Sequence, residues 1–188
     1  MIIIFNKLVS KKYVFIVMVI ICALIVLAIL NLVPCKMSYN VEEVNNKYVV
    51  SITNNHGKTI YENTYNAYPI ILQVGENTVS VTIGAGDYWT TKFINGKTNR
   101  ISDYFENISA CSEQLVVYGI YEDGELKIVI RDIYDKEKVY KEIIDTFPVV
   151  AVGSYLIKDA QIIDDHTVHL TYYVNNDWEE KEEIVFLD

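Results

Sequence analysis

The residues that could carry metal or acid–base chemistry are few. Three histidines are present, His56, His166 and His169. His166 and His169 lie three apart on or beside a strand-like stretch, where side chains alternate between faces, so they point to opposite sides. A metal pair on a strand needs a spacing of two. His56 lies in a loop sequence, and all three read as surface histidines. Gly84-Ala85-Gly86 is a lone GxG followed by strand pattern, with no helix start to hold a phosphate, and reads as a turn. Cys111 lies in a short apolar stretch with no basic neighbour to lower its thiol pKa, and no nucleophile elbow is present. It reads as a small buried apolar residue.

Carboxylates are abundant, so inventory alone leaves a two-carboxylate glycosidase open. Asp123, Asp132, Asp164, Asp165 and Asp177 nevertheless all fall in turn sequences, where aspartate has a structural reason to be. Neither Asp164-Asp165 nor Asp132-x-x-Asp135 matches a twelve-residue calcium loop. Glu179, Glu180, Glu182 and Glu183 read as a solvated sheet edge that discourages pairing. No catalytic residue, metal ligand or cofactor site emerges. The aromatic residues are the better lead. Tyr88, Trp89 and Trp178 lie at or beside turns, where exposed rings suit the binding of peptide or glycan. Asn107-Ile108-Ser109 fits a glycosylation sequon, which matters only in a eukaryotic secretory setting.

These residues follow a stretch of another kind. Tyr13 to Val33 is 21 residues without a charge, enough helix at 1.5 Å per residue to span a hydrocarbon core of about 30 Å. A cleaved signal has a shorter apolar core and a small-x-small cut site; the exit here reads Asn31-Leu32-Val33-Pro34-Cys35-Lys36. Ile21 and Pro34 precede Cys22 and Cys35, where a lipobox has Gly, Ala or Ser. The reading is an uncleaved anchor. Lys7, Lys11 and Lys12 before it against Lys36 behind it put the N-terminus in the cytoplasm and the remainder outside. Residues 1–12 are then a short cytoplasmic N-terminus, 13–33 a transmembrane helix, 34–46 a stalk and 47–188 an all-β extracytoplasmic domain.

All 25 acidic residues follow the anchor together with 13 of the 16 basic ones, so that part carries a net −12. Such a surface repels phosphate backbones, which argues against nucleic acid as a partner. Three cysteines make no disulfide framework, though a Cys35–Cys111 bridge stays open. Isoleucine (26) far outnumbers alanine (7), a skew pointing to an AT-rich, bacterial coding sequence.

From Lys47 onward the sequence is rich in Thr, Val, Ile and Tyr, the composition of half-buried strands. Residues 47–53 and 59–65 flank a five-residue loop; 68–74 and 78–83 flank Gly75-Glu76-Asn77. Residues 89–94 and 97–101 flank Asn95-Gly96, the pair best suited to a two-residue hairpin turn. Ser102 as an N-cap offers a short helix over 102–108 as an alternative. Further strands read at 107–111, 115–121, 126–131, 138–144, 156–163, 167–174 and 182–187.

The stretch Glu106 to Glu142 orders four strands in series, the third closing on Ile130-Arg131-Asp132. This order resembles one blade of a β-propeller, in which an Asp at the end of the third strand caps the following turn. Residues 70–101 repeat the plan, and 155–187 supply three of the four strands. The resemblance implies an all-β antiparallel domain of about three to four blade-like units, with an antiparallel sandwich as the alternative. The functional expectation is a single-pass membrane protein whose outer β domain binds a partner protein, peptide or cell-envelope component. A membrane-anchored hydrolase using a carboxylate pair, or a structural subunit completed by another chain, are the other readings.

Overall fold

In a computed structural model the described residues are 16–23, 25, 37–54, 56–122 and 124–187. Residues 1–34 and 35–188 form two separate units. In the first, residues 16–23 and 25 are helical with exposed side chains. Among the described residues no helix is long and apolar enough to cross a membrane. The rest of the 13–33 stretch, residues 1–12, Cys35 and Asp123 lie outside the described residues.

The second unit is all-β and antiparallel. Its described residues form fourteen strands in four sheets, each sheet following the last in the chain. The first sheet joins β1 (Ser38–Val44), β2 (Lys47–Thr53) and β3 (Thr59–Tyr65). The second joins β4 (Ile70–Val74), β5 (Thr78–Ala85), β6 (Tyr88–Asn95) and β7 (Phe105–Glu106). The third has β8 (Ile108–Cys111), β9 (Leu115–Glu122), β10 (Glu125–Asp132) and β11 (Val139–Ile143). A 3-10 helix, Gly153–Leu156, precedes the fourth, formed by β12 (Ile157–Asp164), β13 (Thr167–Val174) and β14 (Glu179–Phe186).

The sheets pack face to face in chain order. Val50, Ile52, Tyr61 and Tyr65 of the first sheet meet Val79, Val81 and Ile94 of the second. On the far side of the second sheet, Phe93 and Phe105 meet Val116, Tyr118 and Val129 of the third. Leu115, Val117, Ile128 and Ile130 then face Val168, Leu170, Tyr172 and Val185 of the fourth. Strand composition follows layer position. β9, LVVYGIYE, is buried on both faces over Leu115–Gly119 because it lies in an inner layer. β13, TVHLTYYV, buries every second residue because it lies in an end layer.

One bend recurs where the penultimate strand of a sheet gives way to its last. Asn54, Asn95 and Asp132 each send a main-chain N–H across the bend, to the carbonyls of Lys58, Arg100 and Lys138 at 2.9–3.0 Å. Each side-chain oxygen accepts two further amides: His56 and Lys58, Lys97 and Thr98, Tyr134 and Asp135. Asn175 follows β13 at the corresponding place, though its N–H goes to the Thr146 carbonyl instead, and the four positions stand 41, 37 and 43 residues apart. Replacing Asp132 with Ala strands two amides at once, and an equilibrium urea titration is expected to read a loss of about 1–2 kcal/mol.

Three sequence expectations are corrected. The stalk is in large part strand: β1 pairs with β2 from Ser38↔Thr53 to Val44↔Lys47. The turn between them is Asn45-Asn46, both at positive φ (53° and 61°), which asparagine tolerates better than other residues with a side chain. Asn95-Gly96 makes no two-residue hairpin. The Asn95 carboxamide draws Lys97 and Thr98 around itself, Asn99 takes the positive φ, and the residues after it keep a single bridge, Ile94↔Ile101. Ser102 caps no helix: its hydroxyl accepts the Phe93 N–H at 2.9 Å, and Phe105–Glu106 is extended.

The connection from β11 to the 3-10 helix is tied down by Lys181, whose ammonium donates to Asp145 at 2.8 Å. That bond first, and then the Thr146 amide, hold the Asp145 carboxyl below its ordinary value. A depressed carboxyl stabilises the fold fully above its unfolded value, about 3.9, and the contribution is lost as pH falls through the native value. Lys181→Met is therefore expected to cost under about 1 kcal/mol at pH 7, the pair being half exposed. The difference from wild type should vanish in acid, which unfolding curves at a series of pH values would register.

Candidate functional site

The site begins at the β5–β6 hairpin. Ala85 pairs with Tyr88, leaving Gly86 and Asp87 as a two-residue loop. Gly86 has φ 61°, at the position a type II′ turn reserves for glycine. Neighbouring residues of a strand face opposite ways, so Tyr88 and Trp89 part company. The Tyr88 hydroxyl donates to Glu106 Oε1 at 2.5 Å, and this bond raises the phenol's pKa.

Trp89 is held at three points. Its main-chain N–H donates to Asn107 Oδ1 at 2.7 Å, its carbonyl accepts the Asn107 N–H at 2.8 Å, and its indole Nε1 donates to the Gly86 carbonyl at 2.7 Å. The ring lies across Gly84, where an added Cβ would come within 2.8 Å of Trp89 Cδ2. The glycine makes room for the indole.

Trp89 so placed forms part of the wall of a cleft of about 480 Å³, within the range of small-molecule sites. Leu72 and Val74 of β4 line it with Ser80 and Thr82 of β5, Thr91 of β6, and Ile108 and Cys111 of β8. Asp87, Asn107, Ser154 and Tyr155 supply further polar groups at its border. Thr82 and Thr91 bond to each other through their hydroxyls at 2.9 Å. Partial burial, and then the Asp87 carboxylate beside it, push the Tyr155 phenol up. Burial likewise raises the Cys111 thiol, which is uncombined and keeps its proton at neutral pH. The lining contains one carboxylate and no lysine, arginine or histidine. It can stack an apolar face on an aromatic ring and bond hydroxyl or amide groups around it.

Of the three aromatic residues singled out in the sequence, Trp89 lines the cleft and Tyr88 adjoins it in the chain. Trp178 is elsewhere, at φ 58° in the β13–β14 turn and edge-on to Tyr173 at 5.3 Å between ring centres. Asp87, Asn107, Ser154 and Tyr155 were not singled out as site residues. Gly86-Asp87 between two alternating stretches was a readable turn signal; Tyr155 and Leu156 read as the start of a strand, whereas Gly153–Leu156 is a 3-10 helix.

The remaining candidates serve the fold. Asp132 and Asp164 cap turns, and hydrogen bonding to the His166 amide holds the Asp164 carboxyl below its ordinary value. His56 and His166 are exposed, and His169 Nε2 meets Glu182 Oε1 at 2.7 Å. Among the described residues no three His, Cys, Asp or Glu side chains gather as a metal site would require. No protein-family model, no curated protein and no solved structure matches the chain.

Proposed function

We propose that this is a single-pass membrane protein that holds a ligand-binding β unit outside the cell, its N-terminus in the cytoplasm and its four sheets acting as blades of a propeller-like stack. The uncharged 13–33 stretch and the lysines before it support the anchor and its orientation. The blade reading is supported by antiparallel strands in chain order within each sheet. Face-to-face packing of successive sheets and the bend recurring about every forty residues support it further. The stack is open at its ends. The outward face of the first sheet is polar, with Ser38, Asn40, Glu42, Ser51, Thr53 and Glu62, as a terminal layer requires.

The observation that carries the binding function is the Trp89 cleft, a preformed hollow with an immobilised indole. Hydrolysis by a carboxylate pair needs two carboxyls facing one another about 5–10 Å apart, and the lining supplies only Asp87. A partner protein, a peptide or a cell-envelope component is the expected ligand.

Two measurements test this. The full chain should stay in the membrane pellet through an alkaline wash, and protease added outside intact cells should digest its C-terminal part; release into the wash would overturn the anchor. In lipid nanodiscs, fractions of envelope material should raise the melting temperature, since a ligand that binds only the folded state stabilises it. Trp89→Ala should abolish the rise. An equal rise in that variant would remove the cleft from the function.

A further inference from the structure

We propose that the cleft takes a neutral sugar ring of an envelope glycan, stacked on Trp89 and bonded through its hydroxyls to Asp87, Asn107 and Ser154. This rests on the binding function argued above and names the class of its ligand.

Trp89 offers a ligand the face of its ring. Its Nε1–H is committed to the Gly86 carbonyl, so the indole presents a ligand with a π face and no donor. The main chain of Trp89 is held by two hydrogen bonds and its ring by one, seated on Gly84, so little ordering entropy remains to be lost when a ligand stacks on it. A pyranose has a face of C–H groups that suits such a platform, and its hydroxyls project sideways from that face.

The groups at the border complement that face. Asn107 Oδ1 accepts the Trp89 N–H, which fixes the orientation of the carboxamide and leaves Nδ2 as a donor. Neither that Nδ2 nor the Ser154 hydroxyl has a hydrogen-bond partner among the described residues. Asp87 contributes a charged acceptor. Donor, acceptor and hydroxyl together match sugar hydroxyls, each of which can both donate and accept.

Charge narrows the ligand further. With one carboxylate and no cation in the lining, on a unit of net −12, phosphorylated and uronic ligands are repelled. Anionic sugars are therefore disfavoured.

The chain has two tryptophans, so Trp178→Phe leaves Trp89 as the sole indole reporter. The full chain carrying that substitution, in nanodiscs, would be titrated with four probes. Three are neutral oligomers of glucose in β-1,4 linkage, of glucose in α-1,4 linkage and of N-acetylglucosamine; the fourth is a uronic-acid oligomer. A saturable change in Trp89 emission with a neutral series is expected, absent with the uronic oligomer. Asp87→Asn, which keeps the size of the side chain and removes its charge, should weaken that binding about tenfold through loss of a charge-assisted hydrogen bond. If the neutral series leave both Trp89 emission and melting temperature unchanged while an envelope peptide fraction shifts them, the sugar is wrong and the binding function stands. Uronic oligomers binding as well as neutral ones would equally overturn the sugar assignment. If no fraction acts, both fall together.

Discussion

Gly119→Ala should be among the most damaging single substitutions in the β unit, at about 3 kcal/mol or more, although it adds one methyl group. Gly119 of β9 and Gly153, the first residue of the 3-10 helix, meet backbone to backbone. A Cβ built on Gly119 would lie 2.5 Å from the Gly153 carbonyl carbon, and one built on Gly153 would lie 2.9 Å from the Ile120 amide nitrogen. Real Cβ atoms do not approach main chain so closely, and neither backbone can retreat alone. β9 is paired on both sides, with β8 and β10, while Leu156 anchors the helix in the core shared by the third and fourth sheets.

The informative comparison is Gly57→Ala. Gly57 sits at φ 70° with nothing within 4 Å of an added Cβ, so it carries the conformational penalty without the clash, about 1 kcal/mol. At about 2–4 °C per kcal/mol for a unit of this size, melting temperature should fall by roughly 6–12 °C for Gly119→Ala. Gly57→Ala should lower it by only about 2–4 °C. Similar shifts in the two variants would mean that the 3-10 helix moves aside freely and that the contact is no constraint. Because the helix also carries Ser154 and Tyr155, displacing it would widen the cleft, and Trp89 emission would report that in the same samples.

The Gly119–Gly153 contact also marks what can and cannot be read from the chain. Alternation was legible: β13 buries Val168, Leu170, Tyr172 and Val174 as its period-two pattern requires, and the Asp132 cap lies where the blade resemblance put it. A Gly in a strand announces a close approach but not what approaches, and here the neighbour is 34 residues further on. Asn-rich turns misled in both directions for one physical reason. Asn45-Asn46 forms the tight turn because both residues accept positive φ. Asn95-Gly96, with the stronger dipeptide signal, instead spends its carboxamide on two nearby amides. The cleft was half legible. Trp89 stood out as an aromatic beside a turn, but Asn107 reaches it through the β6–β7 pairing from 18 residues further on, and Tyr155 comes to the cleft from the 3-10 helix before the fourth sheet.

Removing Phe93 should cost about 3–5 kcal/mol, as deletion of a buried aromatic ring commonly does, and should divide the stack at its middle. Phe93 is fully buried on the face of β6 turned to the third sheet. Its ring meets Phe105 edge-on at 5.8 Å, and Phe105 meets Tyr118 of β9 at 5.6 Å, so three rings run from one sheet into the next. Arg131 stacks over the middle ring at 5.2 Å, adding a cation to the same joint. Phe93→Ala empties the first position of this row and leaves Phe105 without one neighbour. Layers that touch only their successors have stabilities that depend on nearest-neighbour contacts, so a weakened joint should loosen the halves from each other before either unfolds. Hydrogen exchange should then show the first two sheets and the last two opening with different free energies, where the wild type opens from both at a similar level. Phe186→Ala provides the scale: that ring is 75% exposed on the outward side of β14, and its loss should stay within about 0.5 kcal/mol. Should Phe93→Ala prove as mild as Phe186→Ala, or should exchange rise evenly across all four sheets, the aromatic row is not what joins the second layer to the third.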